Sequence, residues 1–190
     1  FAKPILRPLL QQMPRGKAKA AQMRQAAQSV DFDTARLSRR LEDSLRRLKR
    51  DRVEIFLLHG PTLDDLADGR LYDLLDTLKE RGLAQICGVS ANTVHDACHI
   101  ANSGRIGALQ VPLHPGADCA DLLSTAERAG VGIMAREVLT GAAPSPETLP
   151  RVLSPLVQDP RISTILVGTT ARAHLDMNVS AYQAALAGSA

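Results

Sequence analysis

Five short apolar runs, each followed by a helix-length segment, predict an α/β fold: part of a parallel (β/α)8, or TIM, barrel with strands inside and helices outside. Three observations carry this expectation. The run at 53–58 is nearly continuous in apolar residues, as in a parallel strand buried on both faces. Short loops join each run to its helix, which demands right-handed crossovers and a parallel sheet. A polar residue also stands at the C-terminal end of nearly every run: His59, Ser90, Gln110, Arg136 and the Gly168-Thr169-Thr170 turn. In a barrel those ends converge on one mouth, whereas in an open doubly wound sheet only those near the switch point would meet. A length of 190 residues falls below the roughly 250 of eight units, so one incomplete barrel domain over residues 1–190 is expected, with 1–32 a loosely ordered lead-in.

In chain order, residues 7–31 are rich in Gln, Ala, Lys and Arg without an apolar stripe, which reads as loop and marginal helix. Asp33 is a candidate N-cap, and Leu37, Leu41, Leu45 and Leu48 follow at i, i+4, i+8 and i+11, one face of an amphipathic helix. Residues 53–58 form the first run, which ends at His59-Gly60-Pro61. Leu71, Leu74, Leu75 and Leu78 mark the next helix, Gly82 its left-handed C-terminal cap, and residues 83–89 the second strand. The alternation continues with a helix near 94–101, a strand at 108–111, a helix at 118–129 and a strand at 131–135. Residues 144–160 are looser and hold a short helix, followed by a strand at 162–167 and a last helix whose apolar positions are Leu175, Val179, Tyr182 and Leu186.

Composition narrows the function classes. Trp is absent and aromatics make up 3%, so stacking platforms for single-stranded nucleic acid are missing and no nucleic-acid partner is expected. The net charge of +3 conceals an asymmetry, since residues 1–52 hold 14 Lys/Arg against 5 Asp/Glu; a solvated helix face and lead-in account for this better than a polyanion-binding arm. No apolar run approaches the ~18 residues of a membrane span. Cys87, Cys98 and Cys119 are odd in number and lack C-x-x-C spacing, which suits reduced thiols in a cytoplasmic protein.

Each strand end has two readings when taken alone. His59 leaves the packed run at Leu57-Leu58 and is either an imidazole that orients and polarises a carbonyl or a histidine satisfied by a loop carbonyl. Ser90 and Asn92, like Gln110, can hydrogen-bond a carboxamide or cap a loop. Arg136, followed by Glu137, can offer a planar cation to a ligand or close a surface ion pair. The Gly168-Thr169-Thr170 turn opens the last helix, where backbone N–H groups can receive a phosphate. No G-x-G-x-x-G is present, which disfavours an ordinary Rossmann site. His95 and His99 stand at i, i+4 without a third ligand, so no metal site is expected.

Taken in order, these segments resemble the aldo-keto reductases. The resemblance runs through R-L-x-R-D-R-V-E-I-F-L-L-H-G, G-L-A-Q-I-C-G-V-S, A-L-Q-V-P, V-G-I-M-A-R and I-L-V-G-T-T leading to Asn178, and covers residues 33–187. It implies units 3 to 8 of an eight-unit barrel and hydride transfer between NADP or NAD and an aldehyde, ketone or sugar carbonyl. The family's catalytic set is Asp, Tyr, Lys and His: His59 matches the histidine that orients the carbonyl, and Lys3, in Phe1-Ala2-Lys3-Pro4, matches the lysine that lowers the tyrosine pKa. Ser90 and Gln110 match residues that grip the nicotinamide amide; Ala91 replaces the usual Asn, with Asn92 one place later. Arg136 falls where many members carry an aromatic ring against the nicotinamide. Gly168 and His174 replace a Lys and an Arg that hold the 2′-phosphate in NADPH-preferring members, while Thr169 and Thr170 match the phosphate turn and Asn178 the adenine contact. The Asp and Tyr belong to the first two units, and the only tyrosines here are Tyr72 and Tyr182, in helices. The chain is therefore expected to be a fragment of a longer reading frame; the alternative is a non-catalytic nucleotide-binding or regulatory subunit.

Overall fold

The computed structural model describes residues 32–141 and 145–187. Lys3 and the lead-in lie outside them. In chain order the elements are α1 (Thr34–Leu48), β1 (Val53–His59), α2 (Leu63–Leu66), α3 (Arg70–Glu80), β2 (Ala84–Ser90), α4 (Val94–Ala101), β3 (Ala108–Pro112), α5 (Ala120–Ala129), β4 (Gly132–Arg136), α6 (Thr148–Gln158), β5 (Ile162–Ile165) and α7 (Arg172–Ala187).

Local chemistry sets these boundaries. The Asp33 carboxylate accepts from the Arg36 N–H at 2.7 Å and starts α1. Helix α3 buries all four leucines read from its spacing. It ends in a Schellman arrangement, with Gly82 N–H donating to Lys79 O at 2.9 Å and Leu83 N–H to Leu78 O at 3.0 Å. Gly82 has φ +71°, the left-handed value that a residue without Cβ adopts at no cost. Thr93 caps α4 by accepting from Asp96 N–H at 3.0 Å.

All five strands are parallel and pair in the order β1-β2-β3-β4-β5. A doubly wound sheet reverses its strand order at a switch point; this one never does. With every crossover right-handed, an unreversed order puts all helices on one face, and the described residues thus form part of a (β/α)8 barrel wall. Paired residues of adjacent strands share a face. The row Leu58, Val89, Leu109 and Ile133 lies on the helix side, and each of its residues is 0–2% exposed. The opposite row of Leu57, Gly88, Ala108 and Gly132 faces the barrel interior. Gly88 is required there, since a Cβ would stand 1.8 Å from the Ala108 carbonyl oxygen.

Three expectations are corrected. Strand β1 is not covered on both faces: Ile55 is 42% exposed on the interior side, as is its β2 neighbour Ile86 at 38%, because no other described strand lies across from them. Leu48, the last residue of the α1 stripe and of the helix itself, is exposed. On α7 the large apolar residues Leu175, Val179, Tyr182 and Leu186 face solvent, while Asn178, Ala181 and Ala185 are buried. Small residues let α7 pack closely on α6, and that contact, not apolar periodicity, sets its orientation.

Candidate active site

Counting along the register from the interior row gives the next layer toward the strand ends: His59 pairs Ser90, Ser90 pairs Gln110, Gln110 pairs Met134 and Met134 pairs Thr164. Three of the predicted site residues therefore stand side by side on one face, His59 and Ser90 as the last residues of β1 and β2, and Gln110 in the middle of β3, which runs on to Pro112. Met134 and Thr164 complete the row. The same period-2 count would have found them from the sequence, had the register been known.

Ser90 is buried and donates through Oγ to Gln110 Oε1 at 2.6 Å. That bond leaves lone pairs on the serine oxygen, and the amide N–H groups of Gln110 make no hydrogen bond among the described residues. His59 is exposed and has no hydrogen-bond partner among them. A loop carbonyl does not hold its ring.

Beyond this row a polar rim ties the strand ends together. Gly60 N–H donates to Ser90 O at 2.9 Å, and Asn92 Nδ2 donates to Gly60 O at 3.2 Å. Arg136, paired in register with Pro112, reaches past β3 and donates through Nη2 to Ala91 O at 2.9 Å. Its Nη1 is paired with the Glu137 carboxylate. Arg136 Nε is the one fully buried side-chain nitrogen or oxygen without a partner among the described residues. Burial also pulls the Arg136 guanidinium down from its ordinary value, although an arginine stays charged at any physiological pH.

The predicted phosphate turn lies after β5, at the same C-terminal edge of the sheet. Gly168, Thr169 and Thr170 are exposed, and Thr169 Oγ1 accepts from Ala171 N–H at 3.2 Å just before α7 begins. His174 is exposed in the first turn of that helix, and Asn178 is buried on its packed side. No hydrogen bond links these residues to the row of His59, Ser90 and Gln110. Neither described tyrosine stands at the strand ends: Tyr72 is buried in α3 under the Arg105 guanidinium, and Tyr182 is on the exposed side of α7.

Two residues of the rim carried no usable sequence signal. Glu137 reads in the sequence only as a possible surface partner for Arg136. His114 lies outside every strand-end pattern of the sequence, yet its Nδ1 stands 3.3 Å from Glu137 O.

Parallel strands in unreversed order, with polar side chains gathered toward their C-terminal ends, define a protein of the (β/α)8-barrel class. The chain belongs to the aldo/keto reductase family, whose sequence profile matches residues 15–151; this is a family of oxidoreductases. Among solved structures it is similar to an aldo-keto reductase of Pseudomonas aeruginosa, at 28% identity and a TM-score of 0.71, over 82% of this chain and 60% of that one. An aldo-keto reductase from Bacillus halodurans in its holo form shares the fold at 18% identity and a TM-score of 0.69, over 82% of this chain and 64% of that one. A protein described as a 2,5-diketo-D-gluconic acid reductase B shares it at 22% identity and 0.65, over 83% and 63%. The chain thus spans about 60% of the length of the solved relative first named. No curated protein matches it.

Proposed function

We propose that this chain carries the nicotinamide-gripping and carbonyl-orienting part of an NAD(P)-dependent oxidoreductase acting on a small aldehyde, ketone or sugar carbonyl. The observation that carries the reading is the register row His59, Ser90, Gln110 on the interior face. The residues present fit a dinucleotide. A carboxamide offers a donor and an acceptor, and here the Ser90 oxygen can accept while the Gln110 amide donates. The Arg136 guanidinium adds a cation at the same rim. Gly168, Thr169 and Thr170, at the N-terminus of α7, would take a phosphate, His174 lies beside them, and Asn178 would bear on the adenine.

When bound, a nicotinamide supplies or accepts a hydride. The contribution of His59 is to donate an imidazole N–H to the carbonyl oxygen, fixing which face of the carbonyl is presented and stabilising charge that gathers on that oxygen. No described residue is placed to deliver the proton, and Lys3 lies outside the described residues. That observation favours a second reading, a nucleotide-binding subunit without catalysis of its own.

One series of measurements separates the readings. NADH and NADPH are titrated against the chain by their own fluorescence, and oxidation is then followed with a panel of small aldehydes. The first reading expects binding, carbonyl-dependent oxidation, and loss of oxidation without loss of binding in His59→Ala. Binding with no oxidation selects the second reading, and absence of binding for both dinucleotides overturns the two together.

A further inference from the structure

Arg136 and Glu137 are neighbours in sequence, and in an extended strand neighbouring side chains point to opposite faces. They are nonetheless ion-paired. The backbone explains how: Glu137 has φ +58°, and it is one of only two non-glycine residues with positive φ among the described residues. The other, Lys49, is the left-handed C-cap that ends α1, a common conformation at that place. Glu137 ends no helix. Its left-handed turn breaks the alternation of β4 and swings the carboxylate back onto the Arg136 guanidinium, at a cost in backbone strain that a glutamate does not accept for nothing.

The surroundings hold that conformation in place. Glu137 O accepts from Thr140 N–H at 3.0 Å and stands 3.3 Å from His114 Nδ1, and His114 Nε2 lies 3.8 Å from Glu137 Oε2. Arg136 is thus held from both ends: Glu137 takes Nη1 and Ala91 O takes Nη2. Between them, Nε is buried with no acceptor.

We infer that Glu137 is a positioning residue, strained so that the Arg136 guanidinium is held across the strand ends. Its predicted effect on dinucleotide affinity rests on the function proposed above; its effect on Arg136 does not. The test therefore has a ligand-free arm and a ligand arm. In the ligand-free chain, solvent exchange of the Arg136 Nε–H is measured by nitrogen-15 NMR, with Arg136→Lys used to assign the signal. Glu137→Gln, which keeps the size and removes the charge, should speed exchange roughly five- to tenfold, as expected when one charge-assisted hydrogen bond no longer resists opening. Glu137→Gly, which relieves the backbone, should speed it at least as much. In the second arm, NADH or NADPH affinity should fall about three- to tenfold in Glu137→Gln. Unchanged Nε–H exchange in both variants overturns the inference, whatever the dinucleotide does. Faster exchange without any dinucleotide binding in the wild type upholds the positioning role and removes the function proposed above.

Discussion

The two ends of the strands handle charge in opposite ways. At the N-terminal ends an arginine precedes each strand, and each finds a partner within the chain. Arg50 pairs with Glu54, Arg81 with Glu42 at 2.6 Å, Arg105 with Asp73 at 2.8 Å and with Asp76, and Arg161 with Asp159, while Arg128 donates to Thr125 Oγ1 at 3.1 Å. At the C-terminal ends, by contrast, His59 has no hydrogen-bond partner among the described residues and Arg136 Nε has no acceptor. The polar groups named at the N-terminal ends are satisfied within the fold, and those at the C-terminal ends are left short by one bond, as the function proposed above expects of groups that meet a ligand. Substitutions should sort the same way, toward stability at one end and toward binding at the other.

The largest effect should fall midway between the ends, where packing decides alone. Gly88→Ala drives a methyl to 1.8 Å from the Ala108 carbonyl oxygen, and rigid backbone on both sides cannot yield, so we expect a loss above ~3 kcal/mol by chemical denaturation. A near-normal unfolding midpoint would mean that β2 and β3 are farther apart than described. Next comes Leu109→Ala, which empties a fully buried site on the helix side and should cost about 2–5 kcal/mol. Ile55→Ala, on the 42% exposed interior side, should cost under ~1 kcal/mol. Equal costs for the two would show that something covers the interior face of the chain in solution.

How much of this was legible in the sequence follows the same division. Helix α3 was readable because four large leucines at helical spacing can only be buried together, and Gly82 because a left-handed cap needs a residue without Cβ. Strand ends at His59, Ser90 and Arg136 are readable because apolar runs stop there, whereas β3 runs two residues past Gln110. That His59, Ser90 and Gln110 share one row depends on register, which no single strand encodes. The orientation of α7 is not legible from apolar spacing because the buried Ala181 and Ala185 carry little apolar weight, although small side chains are what bring two helices close. Glu137 was illegible for a different reason: a left-handed glutamate has no sequence signature. Its role is visible only in the partners it meets.

At the mouth, Gln110→Ala should cost about 1–2 kcal/mol in stability, since it leaves the buried Ser90 hydroxyl without its acceptor. If Gln110 grips a nicotinamide amide, the same change should weaken NADH or NADPH about tenfold in a fluorescence titration, the loss expected for one or two hydrogen bonds. A large stability loss with unaltered affinity would move Gln110 from the binding end of the comparison to the structural end.

The smallest effect belongs to the opposite end and has a sign fixed by titration. Paired hydrogen bonds from Arg161, Nε to Oδ1 at 2.8 Å and Nη2 to Oδ2 at 2.6 Å, hold the Asp159 carboxyl below the usual aspartate range, and partial burial only partly offsets them. A carboxyl with a lowered folded-state pKa binds fewer protons folded than unfolded near its ordinary value of about 3.9. Its contribution is therefore complete above that pH and is lost as pH falls through the lower folded value. Arg161→Met should remove this term and raise the acid-unfolding midpoint by only on the order of a few tenths of a pH unit, because solvent screens a partly exposed pair. Stability at neutral pH should fall slightly, with dinucleotide affinity unchanged. An Arg161→Met chain that kept its acid midpoint but lost affinity would contradict the division between the two ends.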